Sequence, residues 1–176
     1  MAVAFGLKPR LTWERLFIFR YLRRTVVSEQ SYKQPVEILL VEDNPNDEEL
    51  TLRALKKHNL ANHIQVVRDG AQALDYVFCE GEYADLEMAD LPKVILLDLK
   101  LPKVSGLEVL ERIKSDLHTQ AIPVVVLTSS DRNHDIEKSY NLGVNSYIVK
   151  PVDFEQFTES VRQIGLYWLL LNQPIE

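Results

Sequence analysis

The strongest constraint on this chain is a rhythm. From residue 36 onward, five short apolar runs rich in Val, Ile and Leu alternate with longer amphipathic stretches. The runs cover residues 36–41, 64–67, 94–97, 124–127 and 147–149. Several are continuous rather than alternating, as expected of strands covered on both faces. The gaps predict helices over 46–58, 71–79, 106–115, 132–142 and 153–171. Asn44 or Asn46 caps the first of these, and Asp47, Glu48 and Glu49 fill its opening turn, where negative charge suits the helix dipole. Gly143 stops the fourth at a left-handed position.

Five β/α units in this span imply an α/β fold. The expected form is a doubly wound, five-stranded parallel sheet with right-handed crossovers and helices on both faces, in the flavodoxin-like strand order 2-1-3-4-5. In such sheets ligands bind beyond the carboxyl ends of the strands, near the point where strand order reverses. The residues standing there carry chemistry: Glu42 and Asp43 after the first run, Arg68 and Asp69 after the second, Asp98 after the third, Thr128 after the fourth and Lys150 after the fifth.

In that order Glu42, Asp43 and Asp98 share one crevice with Lys150. Close like charges resist joint ionisation, and a divalent cation with oxygen ligands, Mg²⁺ above all, relieves them. A cation, a carboxylate nucleophile, a lysine and a hydroxyl together suit phosphoryl transfer, which needs positioning and charge neutralisation. On this reading Asp98 attacks phosphorus, Asp43 and the backbone carbonyl of Lys100 help hold the metal, and Lys150 and Thr128 grip phosphoryl oxygens. Taken singly, each residue fits a plainer role: Glu42-Asp43 a strand end and helix cap, Asp98 a loop cap, Thr128 a strand-end hydroxyl bonded to backbone, Lys150 a surface lysine. The set is what points to chemistry.

Five motifs combine: Leu39-Leu40-Val41-Glu42-Asp43-Asn44, Leu96-Leu97-Asp98-Leu99-Lys100-Leu101-Pro102, Gly106, Val126-Leu127-Thr128-Ser129 and Lys150-Pro151. With them, residues 36–171 resemble a receiver domain of the two-component response regulators. The resemblance implies Asp98 as phosphoacceptor, Glu42 and Asp43 as metal-site acids, Thr128 as switch hydroxyl, Lys150 as phosphate-sensing lysine and Tyr147 as a rotating switch aromatic. The plain alternative for Tyr147 is an edge aromatic that does not move. Pro151 implies a fixed turn holding Lys150, with a cis peptide expected there. A narrower resemblance, to the small regulators partnered with cyanobacterial phytochromes, rests on Glu80-Gly81-Glu82-Tyr83-Ala84-Asp85, Leu101-Pro102-Lys103, Ile113-Lys114-Ser115-Asp116 and Tyr167-Trp168 in the long last helix. It implies a sensor histidine kinase of phytochrome type as the partner.

Charge narrows the remaining classes. Residues 1–35 hold seven basic side chains (Lys8, Arg10, Arg15, Arg20, Arg23, Arg24, Lys33) against Glu14 and Glu29, a net of +5, so with −6 overall the rest carries −11. An acidic main domain repels phosphate backbones, which disfavours nucleic-acid binding. Arginines break the apolar N-terminal segment, so no span of the roughly 18 apolar residues a membrane helix needs is present. A single cysteine gives no disulfide framework, and a cytoplasmic location is expected. Cys79 is expected to be an unreactive helix residue, and His58, His63, His118 and His134 lack metal spacing.

Residues 1–35 form a basic extension with helical character around Trp13, Phe17 and Phe19; an amphipathic helix and a stretch upstream of the natural start both fit it. Residues 172–176 form a tail, with no output domain expected after it. The segment 80–92 is long for a helix-to-strand connection and predicts an inserted acidic surface loop. Leu166-Tyr167-Trp168-Leu169-Leu170-Leu171 is apolar all round, which suggests a partner surface, so a homodimer through the last helices and fifth strand is expected. Two other functions compete with the stand-alone regulator. A phosphorylation-independent scaffold would not need the intact acidic pocket. A haloacid-dehalogenase-type phosphohydrolase would carry a second acid where Lys100 stands. Neither GxGxxG nor GxxxxGK[ST] occurs.

Overall fold

A computed structural model describes residues 36–59, 63–87, 90–151 and 153–172. The expectations placed on 1–35 and on 173–176 lie outside these residues. Five parallel strands, β1 (Ile38–Val41), β2 (Ile64–Val67), β3 (Val94–Leu97), β4 (Val124–Thr128) and β5 (Ser146–Val149), form one sheet in the order β2-β1-β3-β4-β5. The order matches the sequence expectation. Leu40 pairs with Val66 on one side and Leu96 on the other, and Leu97 with Val126, so the strands end nearly level.

The continuous apolar runs are explained by two cores. Leu39, Val41, Ile95, Leu97, Val124 and Val126 face one layer of helices; Ile38, Leu40, Val94, Leu96, Val125 and Leu127 face the other. Alternate residues thus point to opposite faces, and both faces are dry. Ala73 and Val77 of α2 (Gly70–Val77) and Val109, Leu110 and Ile113 of α3 (Gly106–Ser115) close the first core. Ala54 and Leu55 of α1 (Pro45–Lys57) and Phe157, Val161 and Ile164 of α5 (Phe154–Gly165) close the second. Between β4 and β5 runs α4 (Asn133–Asn141).

Local chemistry starts these helices. The Asn44 side chain accepts from Asn46 N–H ahead of Pro45 at the first turn of α1; Asp69 and Asp153 accept from Gln72 and Gln156; Ser105 and Glu108 form a reciprocal capping box. Helix α4 ends at Asn141, with Leu142 as its C-cap followed by Gly143 at φ +90°.

Two expectations need correction. Helix α2 stops at Val77, and Cys79 lies beyond it at φ +55°, a left-handed residue of the exit turn and not a helix residue. The last helix is α-helical only to Gly165; Leu166–Leu171 continues as a π-helical turn, closed by the Asn172 N–H donating to the Tyr167 carbonyl at 2.7 Å. The wider turn lets Leu166, Trp168 and Leu169 reach the second core while Tyr167, Leu170 and Leu171 stay exposed. The described acidic residues of the segment after Cys79 lie at the surface as expected, and its 3₁₀ turn (Gly81–Tyr83) sets Tyr83 edge-on against buried Tyr76, ring centroids 5.0 Å apart. Among the described residues no helix is long and apolar enough to cross a membrane.

Candidate functional site

The register brings the strand-end residues together. The Asp98 N–H donates to the Val41 carbonyl at 3.0 Å, which sets the residue after β3 beside the end of β1, and Glu42 follows Val41 directly. Thr128 closes β4, and the Lys150 N–H donates to its carbonyl at 2.7 Å. Four strand ends therefore present Glu42, Asp98, Thr128 and Lys150 to one small volume. Glu42, Asp98 and Thr128 are buried, at 1%, 6% and 0% exposure.

Each oxygen of Asp98 is held by a different group. Oδ1 accepts from Thr128 Oγ1 at 2.7 Å and from the Lys100 N–H at 3.1 Å; Oδ2 accepts from Lys150 Nζ at 2.9 Å. The same ammonium donates to Glu42 Oε2 at 2.6 Å and Asp47 Oδ2 at 2.7 Å, which uses all three of its protons. Gly106 makes this arrangement compatible with the start of α3. A Cβ there would lie 2.2 Å from the Asp98 carbonyl oxygen, so only glycine lets the helix approach the strand end this closely.

Electrostatics follow from burial. Removal from water pushes the Glu42 carboxyl up to about 7, against the pull of the Lys150 hydrogen bond. For Asp98 burial also works against the charge, but Lys150, the Thr128 hydroxyl and the Lys100 N–H outweigh it and hold this carboxyl below its ordinary value. Burial likewise disfavours the Lys150 ammonium, and its hydrogen bonds to Asp47 and Glu42 and the nearby Asp98 charge outweigh that, so its pKa is raised. Asp98 is thus an ionised, oriented carboxylate at neutral pH.

The three carboxylates suit a cation. Glu42, Asp47 and Asp98 each offer an oxygen within 4.8 Å of the others, and one ammonium already sits among them. With all three ionised, a formal charge of −2 remains after Lys150, and hard oxygen donors at this spacing fit a small divalent ion. The sequence-derived acids are brought together only in part. Glu42 and Asp98 are in the cluster, whereas Asp43 is exposed and outside it. Asp47, assigned from sequence only to the charged first turn of α1, points back into the crevice. Pro45 at the first helical position fixes where this helix starts, but no strand-end pattern points to Asp47.

The sequence pattern that defines the response regulator receiver domain matches residues 38–162. The chain belongs to this family. It is 44% identical over 142 residues to the probable methanogenesis regulatory protein FilR2 of Methanothrix harundinacea, a match covering 80% of this chain and 88% of that protein. It is 40% identical over 135 residues to the response regulator Rcp1 of a Synechocystis strain, covering 77% and 90%. The fold of the Mn²⁺-bound form of Rcp1 matches with a TM-score of 0.74 at 37% identity, covering 81% of this chain and 100% of that one. The phosphorylated cyanobacterial phytochrome response regulator RcpA matches with a TM-score of 0.74 at 42% identity, covering 81% and 99%.

Around the receiver's strand ends a second layer of polar contacts runs toward α4. The Thr128 hydroxyl accepts from the Ser130 N–H at 3.3 Å, Ser130 Oγ donates to Asp135 Oδ2 at 2.6 Å, and Tyr147 OH donates to the Ser130 carbonyl at 2.9 Å. Tyr147 is therefore tied to the loop after β4 through its hydroxyl. Lys100 reaches across the mouth of the crevice, donating to Ser129 Oγ at 3.1 Å. Among the described residues no peptide bond is cis, so the expected cis Lys150–Pro151 bond is not present and the β5–α5 turn holds Lys150 in trans.

Proposed function

We propose that this receiver works as a stand-alone response regulator of a two-component phosphorelay, accepting a phosphoryl group on Asp98 from a sensor histidine kinase, one of phytochrome type. The observation that carries this reading is Asp98 itself: a buried carboxylate, ionised at neutral pH, with one oxygen on the Thr128 hydroxyl and the other on the Lys150 ammonium. An Asp98 oxygen bonds phosphorus as the phosphorus–nitrogen bond of a phosphohistidine breaks, and the electron pair of that bond leaves on the imidazole nitrogen. No protein group needs to take a proton in this step. Positioning and charge therefore carry the catalysis, and the regulator catalyses its own phosphorylation and dephosphorylation.

Glu42, Asp43, Asp98 and the Lys100 carbonyl would hold Mg²⁺, Asp43 from outside the cluster that Asp47 forms with Glu42 and Asp98. When bound, the ion neutralises charge on the transferring phosphoryl oxygens. Lys150 and Thr128 leave their present Asp98 contacts for phosphoryl oxygens, and the inward pull on Thr128 is passed to Ser130 and Tyr147. The output is a changed protein-contact surface, with a homodimer through the last helices and β5, and neither nucleic acid nor membrane is required. The cell compartment is the cytoplasm. The phytochrome pairing is supported by the likeness to RcpA, the cation by the acid cluster and the likeness to Mn²⁺-bound Rcp1.

Intact mass after incubation with Mg²⁺ and a small phosphodonor tests the reading. Wild type gains one phosphoryl group and Asp98→Asn gains none; full labelling of Asp98→Asn rejects the assignment. Size-exclusion of the same samples tests the output. Thr128→Ala is expected to accept the group while losing any phosphorylation-dependent shift, and an unchanged shift in that variant rejects the coupling.

A further inference from the structure

Between Asp98 and α3 the chain makes a loop whose middle is fastened to a different part of the molecule. Lys103 Nζ donates to Asp69 Oδ2 at 2.6 Å, and Asp69 Oδ1 simultaneously caps α2 by accepting from the Gln72 N–H at 2.8 Å. Beside this pair the Gly70 N–H donates to the Pro102 carbonyl at 3.4 Å, and a Cβ on Gly70 would lie 2.0 Å from the Val104 carbonyl oxygen. Lys103 holds a left-handed backbone, φ +63°, which a lysine adopts only where its surroundings determine it. Residues 99–101 are thus strung between two close approaches, Gly106 against Asp98 at one end and the α2 amino terminus at the other.

That short stretch contains the Lys100 N–H that orients Asp98 Oδ1 and the Lys100 carbonyl assigned above to the cation. We propose that Lys103 is a positioning residue for phosphoryl acceptance: clamped to Asp69, it holds the Lys100 peptide in register with the Asp98 carboxylate. This rests on the phosphoacceptor reading but depends on different residues. The lysine side chain is 63% exposed and the aspartate 7%. An ion pair so open to water adds little to global stability, so its effect on the site can be separated from folding.

The test uses the full chain with Lys103→Met, Asp69→Asn, the double variant and Lys103→Arg. Asn still caps a helix, so Asp69→Asn removes the charge partner without removing the cap acceptor. Two quantities are read: Mn²⁺ affinity by titration calorimetry, and the initial rate of phosphorylation by a small donor. The expected result is a loss on the order of fivefold in both for each single variant, the range of couplings between contacting residues. The double variant loses no more than either single one, and Lys103→Arg restores most of the affinity. Unchanged Mn²⁺ affinity in Lys103→Met, additive losses in the double variant, or no Mn²⁺ binding by wild type overturns the proposal. If wild type takes up no phosphoryl group on Asp98 while the Mn²⁺ losses appear as described, the clamp stands and the phosphoacceptor reading fails.

Discussion

Helices α3 and α4 are neighbours in the receiver, yet they are attached by different physics. Helix α3 opens with a full capping box and sends Val109, Leu110 and Ile113 into the first core with none of their surface left to water. Helix α4 opens at Arg132 without a side-chain cap, and its one fully buried residue is Ser139, whose hydroxyl bonds back to the Asp135 carbonyl. Along the helix itself the attachment is polar, Ser130 to Asp135, and apolar packing by Leu142 and Val144 comes only after the helix has ended. β5 beside it is likewise half-buried where β1, β3 and β4 are buried throughout. Apolar burial makes α3 a fixed wall behind Asp98. The layer wired to Thr128 is the shallowly packed one, so moving it breaks few apolar contacts. The two-state response proposed above, centred on α4 and β5, would have its physical basis in this difference.

The sharpest way to break the comparison is to cut α3. Leu110→Ala removes a fully buried side chain from a core closed on every side and is expected to cost about 2–5 kcal/mol, read from the urea midpoint. A cost below about 1 kcal/mol shows that α3 is no more tightly held than α4.

A smaller, pH-dependent effect marks the fixed side as well. Burial works against ionisation of Asp69, but the Lys103 ammonium and the Gln72 N–H outweigh it and lower its pKa in the folded chain. A carboxylate held below its unfolded value contributes stability that is fully present above the ordinary value of about 3.8 and is lost as pH falls through the folded one. As pH falls below about 4, wild type is therefore expected to lose stability faster than Asp69→Asn, which keeps the cap and cannot titrate. Parallel stability curves over that range reject this assignment.

How much of this was legible beforehand divides along the same lines. The five runs announced the sheet because a strand buried on both faces leaves an unbroken apolar signature, whereas the order 2-1-3-4-5 came with the resemblance to receiver domains, since alternation alone admits other doubly wound orders. Asp98, Thr128 and Lys150 could be placed together because each directly ends or follows such a run. Asp47 could not, since it reaches the crevice from the side of a helix, and no period-two or strand-end rule points there. The clamp between Asp69 and Lys103 joins residues 34 apart through a left-handed lysine, and neither residue has a local pattern that names the other. The π-turn at Leu166–Leu171 was hidden for a different reason: an all-round apolar run is compatible with either helix pitch, and contact with the second core decides it.

The smallest effect belongs to α4. Ile136 is half-buried and takes no part in either core cluster, so Ile136→Ala is expected to change stability by less than about 1 kcal/mol. The same substitution is informative in hydrogen exchange. If α4 opens locally, its amides exchange through a path that does not require unfolding of α3, and Ile136→Ala speeds exchange in 133–141 while leaving 106–115 unchanged. Equal acceleration of both helices means that they open as one cooperative unit. In that case the polar fastening of α4 would not free it to move alone, and a shift at Thr128 would have to displace α3 and the wall behind Asp98 along with it.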